Sequence, residues 1–372
     1  MEYVILGAGA AGITAAKTIR KADREGKITV ISTDTQVHSR CMLHKYLSHE
    51  RDAAQISFID PDFFEKNQIT WLPGKTVNRL DTQGKKVYTD QGDEISYDRL
   101  LIAAGAESFI PPVGNLREAE NVFGLRHLRD AQAIDKLAEK AENIVIIGSG
   151  LVGLDAAYGL METGKKVSIV EMADQILPVQ LDKTGAYEYQ KRFEKAGAVF
   201  YLGRKAADTV MGEDKIIREI ILDNGEKLPC DLIIVAAGVR SAVAGMEGEG
   251  IVIDRGIKVD DYLQTGAEGV YAAGDVTGLS GIWPNAQKQG ETAALNMCGS
   301  HVEYTDRYAM KNTINFFGLV SMCVGLIIPQ EGDVVIARED SRNYKRVILR
   351  DGKVVGVLLQ GDISHGGIWQ YL

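Results

Sequence analysis

The sequence predicts an α/β fold, with two Rossmann-like dinucleotide-binding units followed by a small C-terminal α+β domain. Three observations carry that prediction. Residues 3–6 form an apolar, strand-like run that breaks into Gly7-Ala8-Gly9-Ala10-Ala11-Gly12 and continues as helix formers over residues 13–20. The pattern recurs where residues 143–147 run into Gly148-Ser149-Gly150-Leu151-Val152-Gly153 and a second helical stretch over residues 154–162. Past about Gly299 the chain turns to hairpin-like strands, among them residues 345–349 and 354–359, joined at Asp351-Gly352.

The Gly-x-Gly-x-x-Gly spacing between a strand and a helix has a physical meaning. The first glycine permits a tight turn, the second lets a pyrophosphate approach the backbone, and the third lets helix and strand pack closely, while the helix N-terminus faces the phosphate charge. Both loops are therefore expected to hold a dinucleotide, through Gly7, Gly9, Ala10, Ala11 and Gly12 in one and Gly148, Gly150, Leu151, Val152 and Gly153 in the other. Turn-rich hairpin sequence follows each copy: Asp81-Thr82-Gln83-Gly84 and Asp90-Gln91-Gly92-Asp93 in the first, Asp223-Asn224-Gly225-Glu226 in the second. Each copy then ends in a buried strand that stops at small residues, at Ala104-Gly105 and at Ala237-Gly238. Two dinucleotides in one chain suggest a head-to-head placement, which hydride transfer between cofactors requires.

In the second copy the next strand ends Val167-Ser168-Ile169-Val170-Glu171, with the acid at the distance the fingerprint predicts. A carboxylate there accepts hydrogen bonds from ribose hydroxyls and repels a 2′-phosphate, so NADH is expected rather than NADPH. The matching strand of the first copy, residues 27–32, ends at Ser32, and Asp34 is the nearest acid for an adenosine ribose. Further on, Gly269-Val270-Tyr271-Ala272-Ala273-Gly274-Asp275 is a strand that ends in small residues and then an acid. A helix is expected to start near Pro284, since proline suits the first helical turn, with its positive end at residues 283–286. Trp283 is then either part of that site or a packing anchor at its edge.

Composition bounds the rest. A chain of 372 residues has length for two or three domains, and 45% hydrophobic with 25% charged residues is the balance of a soluble globular protein. Met1 leads almost directly into the first strand and no apolar run is long enough to span a bilayer, so the cytoplasm is the expected location. Cys41, Cys230, Cys298 and Cys323 are scattered with no Cys-x-x-Cys pair, which argues against a disulfide framework or an iron-sulfur site. A net charge of -9 argues against nucleic acid or an anionic membrane as partner.

With the strand ending at Asp275 added to the two glycine loops, the chain resembles the FAD- and NAD-linked pyridine nucleotide-disulfide oxidoreductases. The resemblance runs from residue 3 to about residue 296 and includes residues 99–106 and 231–240, which are similar to the family's two crossover motifs. It implies that the first loop serves FAD, that Asp275 carries the FAD ribitol, and that the helix at Trp283 and Pro284 points at the pyrimidine edge of the flavin. Ala104 and Gly105 are implied at FAD, and Gly238 at NAD. The FAD-binding domain becomes discontinuous, residues 1–112 and 236–299, with the NAD-binding domain 113–235 inserted and a C-terminal interface domain at 300–372.

The segment His38-Ser39-Arg40-Cys41-Met42-Leu43-His44-Lys45 selects a branch. A disulfide reductase of this family carries two cysteines spaced five apart here, and only Cys41 is present, so a dithiol mechanism is excluded. The match is closer to the Arg-x-x-Leu-x-Lys pattern of rubredoxin reductases, oxygenase-type ferredoxin reductases and the flavin module of assimilatory nitrite reductases. That likeness implies Lys45 beside the flavin, paired with Asp155, where relatives carry a glutamate one methylene longer. The pair would position the nicotinamide rather than move protons. Arg40 is expected at the FAD pyrophosphate, where a planar guanidinium suits phosphate oxygens. Residues 310–325, with Asn315-Phe316-Phe317-Gly318, resemble the start of that branch's third domain, which covers the flavin or forms a homodimer contact. The terminal residues 367–372 are apolar and carry no helix-ending signal.

The expected activity is transfer of electrons from NADH through FAD to a small rubredoxin-like or ferredoxin-like protein, or to a fused or partner reductase. One alternative is a single-cysteine NADH oxidase, peroxidase or coenzyme A-disulfide reductase using Cys41, activated by Arg40, Lys45 and the neighbouring imidazoles. Another is a protein whose redox state controls binding to a partner. No metal site is expected, because His38, Cys41, His44 and His49 scatter around a helix instead of converging.

Overall fold

The computed structural model describes residues 1–306 and 311–369, with backbone alone at Lys311. Met310, in the expected third-domain motif, and the chain end at residues 370–372 lie outside the described residues. Two compact units emerge: Met1–Ser39 with Ala53–Glu107 and Val239–Ala309, and Arg40–Asp52 with Ser108–Gly238 and Met310–Leu372. The segment Arg40–Asp52 follows a strand of the first unit in the chain, yet it groups with the second.

The first unit is built on a five-stranded parallel sheet in the order Val270–Ala272, Arg99–Ile102, Glu2–Leu6, Lys27–Ser32 and Ile69–Pro73. Its central strand is buried along Tyr3 to Leu6, as expected for a parallel sheet covered on both faces. A three-stranded antiparallel sheet, Val77–Asp81, Lys86–Thr89 and Glu94–Ser96, turns at the two aspartate-rich loops, where Asp81 accepts from the Gly84 amide. The helices Ala10–Ala22 and Trp283–Met297 pack together through alanines and Gly290, where an added Cβ would stand 2.2 Å from the Ala11 carbonyl oxygen. The first helix begins three residues before the expected start, because the small residues Ala10, Ala11 and Gly12 form its opening turn. Proline stands in the first turn of Trp283–Met297, as the sequence implied.

The second unit repeats this plan. Its parallel sheet has the order Val199–Leu202, Val167–Glu171, Ile144–Ile147, Leu232–Val235 and Val122–Phe123, beside an antiparallel sheet of Ala206–Met211, Ile217–Leu222 and Lys227–Pro229. In both units the strand before the glycine loop lies between the next strand of its unit and the strand that follows the hairpins. The third sheet, antiparallel, runs Lys311–Phe316, Leu319–Gly325, Lys353–Gln360, Tyr344–Arg350 and Val334–Glu339. Its Asp351-Gly352 turn has φ of 50° and 75°, the mirror-image turn that suits a two-residue hairpin.

Helix Lys183–Lys195 is the seat of this third sheet within the second unit. Tyr189 and Phe193 are wholly buried on it, and Phe193 meets Phe316 and Phe317 edge-on at 5.2 and 5.0 Å. The Tyr189 hydroxyl lies 3.1 and 3.0 Å from the carbonyl oxygens of Ile314 and Leu319 and 2.9 Å from Ser321 Oγ. Among the described residues no helix is long and apolar enough to cross a membrane.

Candidate functional site

The glycine loops repeat the same geometry in the two units. Gly7 has φ 109° and Gly148 has φ 106°, a region L side chains rarely enter, and an added Cβ would stand 2.2 Å from the Ala103 carbonyl and 2.5 Å from the Ala236 carbonyl respectively. At Gly12 and Gly153 a Cβ would stand 1.9 and 2.0 Å from the carbonyl oxygens of Gly7 and Gly148. The middle glycines differ in kind. Gly9 and Gly150 have ordinary extended backbone, φ -80° and -69°, and a Cβ there meets nothing within 4 Å. Nothing in the chain itself demands glycine at these two positions, and both N-cap a helix whose first-turn amides have no partner within the helix and no side-chain cap. The residues therefore fit a phosphate group drawn close against the backbone of each loop.

Several other residues that the sequence singled out stand at strand and helix ends within each unit. Glu171 ends its strand with both carboxylate oxygens engaged: Oε2 accepts from the Ser149 amide and hydroxyl, each at 2.8 Å, and Oε1 accepts from the Ala173 amide at 2.8 Å. The acid is thus fixed against the second glycine loop. Ser149, wholly buried, was not among the expected site residues, although a serine inside the loop was the available signal. Gly238, at φ 101°, lies just past the neighbouring strand Leu232–Val235, and Leu151 and Val152 form the first turn of helix Leu151–Glu162.

In the first unit Ser32 is buried and its Oγ accepts from the Asp34 amide at 3.2 Å, so Ser32 and Asp34 stand together at the strand end. Ala104 and Gly105 follow the neighbouring strand, with Gly105 at φ 76°. Asp275 opens a single 3-10 turn, Asp275–Thr277, after Gly274 at φ 82°. The Gly274 amide donates to Gln289 Oε1 at 2.7 Å, and Gln289 is wholly buried on the helix that starts at Trp283. Gln289 thus ties the Asp275 turn to that helix, a link with no local sequence signal. Trp283 packs edge-on against Phe58 at 4.8 Å, which makes it a packing anchor whatever else it touches.

Lys45 and Asp155 come together in the second unit because two helices meet there. Helix Leu43–Leu47 presses on Leu151–Glu162, and at Gly159 an added Cβ would stand 2.6 Å from the His44 carbonyl oxygen. The Lys45 ammonium pairs with Glu50 Oε2 at 2.5 Å, a residue absent from the sequence reading. Asp155 Oδ1 instead faces His44 Nδ1 at 3.7 Å, beyond hydrogen-bond range. Among the described residues Lys45 is thus paired with Glu50, and it acts on Asp155 through its charge. Arg40 Nη1 donates to the Arg126 carbonyl at 2.9 Å, and Cys41 is the exposed cysteine of the four.

Burial dominates the electrostatics of this corner. It pushes the Asp155 carboxyl up to about 7, with the Lys45 charge pulling the other way, even though 29% of that side chain remains accessible. Burial, reinforced by the Lys45 charge, pushes the His44 imidazole down to about 4. Both groups are thus held neutral in weakly acidic solution. As pH rises from about 4 to 7, folded Asp155 keeps a proton the unfolded chain loses, so stability falls; folded His44 lacks a proton the unfolded chain holds up to about 6.5, so stability rises. The two slopes oppose, and denaturant unfolding of the wild type is expected to show little net contribution from this corner between pH 4.5 and 6. In Asp155→Asn only the histidine slope survives, and stability should rise with pH over that window by up to roughly 2 kcal/mol. A flat Asp155→Asn profile would contradict this account.

Comparison with known proteins places the chain. Residues 1–290 match the pyridine nucleotide-disulphide oxidoreductase family, and residues 311–370 match the rubredoxin NAD+ reductase C-terminal domain. The NADH-dependent phenylglyoxylate dehydrogenase subunit epsilon of Aromatoleum evansii is 31% identical, over 100% of this chain and 91% of that protein. The assimilatory nitrate reductase electron transfer subunit of Bacillus subtilis is 31% identical over 97% of this chain, which spans 48% of that relative. Among solved structures, the ferredoxin reductase from Rhodopseudomonas palustris superposes with a TM-score of 0.88 at 25% identity, covering 98% of this chain and 92% of that one.

Fold and sequence therefore define a two-dinucleotide flavoenzyme. The chain belongs to the pyridine nucleotide-disulphide oxidoreductase family, and within it is an FAD-dependent oxidoreductase of pyridine nucleotides.

Proposed function

We propose that this protein is the electron-entry component of a small redox chain, taking electrons from NADH and delivering them to a rubredoxin-like or ferredoxin-like protein or to a partner reductase. The observation that carries the reading is the duplicated glycine loop with an open position at its middle glycine, in a chain that ends with a rubredoxin reductase-type C-terminal domain. When bound, FAD supplies the conversion from a two-electron donor to one-electron acceptors. The chain's own residues hold and orient.

In this proposal Gly7, Gly9, Ala10, Ala11 and Gly12 take the FAD pyrophosphate, with Asp34, Arg40, Ala104, Gly105, Asp275, Trp283 and Pro284 completing the flavin site. Gly148, Gly150, Leu151, Val152, Gly153 and Gly238 take the NADH pyrophosphate, and Glu171 accepts from its ribose hydroxyls. Lys45 and Asp155 position the nicotinamide, a reading supported by the packing of their two helices at Gly159 and by the Lys45 charge felt at Asp155. The net charge of -9 gives no long-range attraction for an acidic carrier, so its docking relies on local contacts. A cytoplasmic location and a homodimer belong to the same proposal, the second tested by sedimentation equilibrium.

The experiment is an acceptor screen with NADH as donor and rubredoxin, ferredoxin, oxygen, peroxide and coenzyme A disulfide as acceptors. The one-electron carriers are expected to turn over fastest. A faster rate with peroxide or coenzyme A disulfide would favour the thiol route, for which the exposure of Cys41 is the supporting observation. Cys41→Ser separates the two readings. Turnover with a one-electron carrier should stay within about twofold of wild type, since a serine at an exposed position costs little. Loss of that turnover would overturn the assignment.

A further inference from the structure

In the second unit, the segment between Glu171 and Asp182 is fastened at both ends. At its start Glu171 holds the amides of Ser149 and Ala173, and midway the Leu177 amide donates to the Ser149 carbonyl at 3.0 Å. Leu177 is wholly buried with φ 48°, a conformation that costs a leucine energy and persists only where its surroundings impose it. At the far end Asp182 caps helix Lys183–Lys195, Oδ1 accepting from the Gly185 amide at 3.0 Å. Its other oxygen, Oδ2, accepts from the Tyr344 hydroxyl at 2.5 Å and lies 3.4 Å from Arg346 Nε.

Tyr344 and Arg346 come from the C-terminal sheet and are both buried. Arg346 is held in turn by the Ile327 carbonyl, to which its Nη1 donates at 2.8 Å. Burial and the Asp182 carboxylate keep the Tyr344 hydroxyl protonated, so it is a permanent donor. Beside this grip lies a pocket of about 250 Å³, lined in part by Ala173, Pro178, Leu181 and Asp182 of the segment and by Ile328 and Arg346. The anchor residues Asp182 and Arg346 stand in its wall, so the Asp182 grip is a polar tie between segment and sheet at the edge of that space.

We propose that Tyr344 and Arg346 are positioning residues for NADH: by gripping Asp182 they hold residues 172–181 in the shape that keeps Glu171 and Ser149 set for the dinucleotide. This rests on the reading that Glu171 receives the NADH ribose. The C-terminal sheet would then affect donor affinity without touching the donor.

The test uses the FAD-loaded, full-length protein with Tyr344→Phe, Arg346→Leu and, as a control on the underlying reading, Glu171→Ala. Tyr344→Phe removes one hydroxyl and keeps the ring, and Asp182→Asn, which still caps a helix, serves as the second variant should Arg346→Leu fail to fold. The expected result is a rise of roughly 3- to 10-fold in KM for NADH, with kcat at saturating NADH and FAD content unchanged. A lower melting temperature with KM unchanged would make the anchor merely structural and overturn the inference. If Glu171→Ala itself leaves KM for NADH unchanged, the reading beneath it fails, and the proposal falls with that reading rather than by its own test.

Discussion

Gly12→Ala is expected to give no folded, flavin-loaded protein, whereas Gly9→Ala, in the same loop, should fold normally and lose FAD. The contrast follows from what an added methyl group meets. At Gly12 it would stand 1.9 Å from the Gly7 carbonyl oxygen and 3.0 Å from its carbon, both backbone atoms of the loop itself. Overpacking a core ordinarily costs about 1–3 kcal/mol because side chains move aside, and here the severe clash is with main chain. The strand before the loop pairs with both its neighbours over its length, so the displacement would run into the parallel sheet. At Gly9 the methyl meets no protein atom within 4 Å, and the backbone is in a region open to any residue. The stability of the apoprotein should change by no more than about 0.5 kcal/mol, while FAD affinity should fall by roughly tenfold or more as the pyrophosphate is pushed off the amides, a loss of about 1.4 kcal/mol. Thermal unfolding with and without FAD reads both: Gly9→Ala keeps the apoprotein melting temperature, while the shift FAD produces shrinks by the equivalent of about 1.4 kcal/mol or more. Equal behaviour of the two variants would show that the middle glycine is not set aside for a ligand.

Glu171→Ala carries the second large effect, on donor selectivity. The carboxylate is already pinned by Ser149 and Ala173, so it is presented without further ordering when a dinucleotide arrives. Hydrogen bonds to a charged group contribute about 1.5–3 kcal/mol, so kcat/KM for NADH should drop by roughly 10- to 100-fold. With NADPH the sign reverses. The wild-type carboxylate repels a 2′-phosphate, and its removal should raise kcat/KM for NADPH, narrowing the gap from both sides. Glu171→Gln separates charge from hydrogen bonding: it keeps an acceptor oxygen and should lose less with NADH while gaining with NADPH.

Sequence patterns expressed most of the fold because each signal was local. Gly-x-Gly-x-x-Gly gave both loops, Asn224-Gly225 and Asp351-Gly352 gave hairpins, and Pro284 gave a helix start, each set by backbone conformations that a few residues impose. The site was legible only in its individual residues. The family likeness pointed Lys45 at Asp155, but no residue pattern within Arg40–Asp52 itself announced that the whole segment would group with the second unit, where Gly159 lets the backbone of His44 approach. The contact that joins Asp182 to Tyr344 spans 162 residues, and a hydrogen bond of that range leaves no periodicity to read. Lys45 shows both sides of this. The sequence pointed it at Asp155, whereas the structure pairs it with Glu50, five residues on and beyond the short helix Leu43–Leu47, a contact with no pattern of its own.

The central claim is that NADH is the donor and that a one-electron carrier takes the electrons onward. Anaerobic stopped-flow mixing tests it most directly, following flavin absorbance as the FAD-loaded protein meets NADH or NADPH and then an oxidised one-electron carrier such as rubredoxin. The account predicts bleaching at least about tenfold faster with NADH than with NADPH, the factor that about 1.4 kcal/mol of selectivity at Glu171 would give, and prompt return of absorbance on adding the carrier. Bleaching as fast or faster with NADPH, or a reduced protein that no one-electron carrier reoxidises, would contradict it.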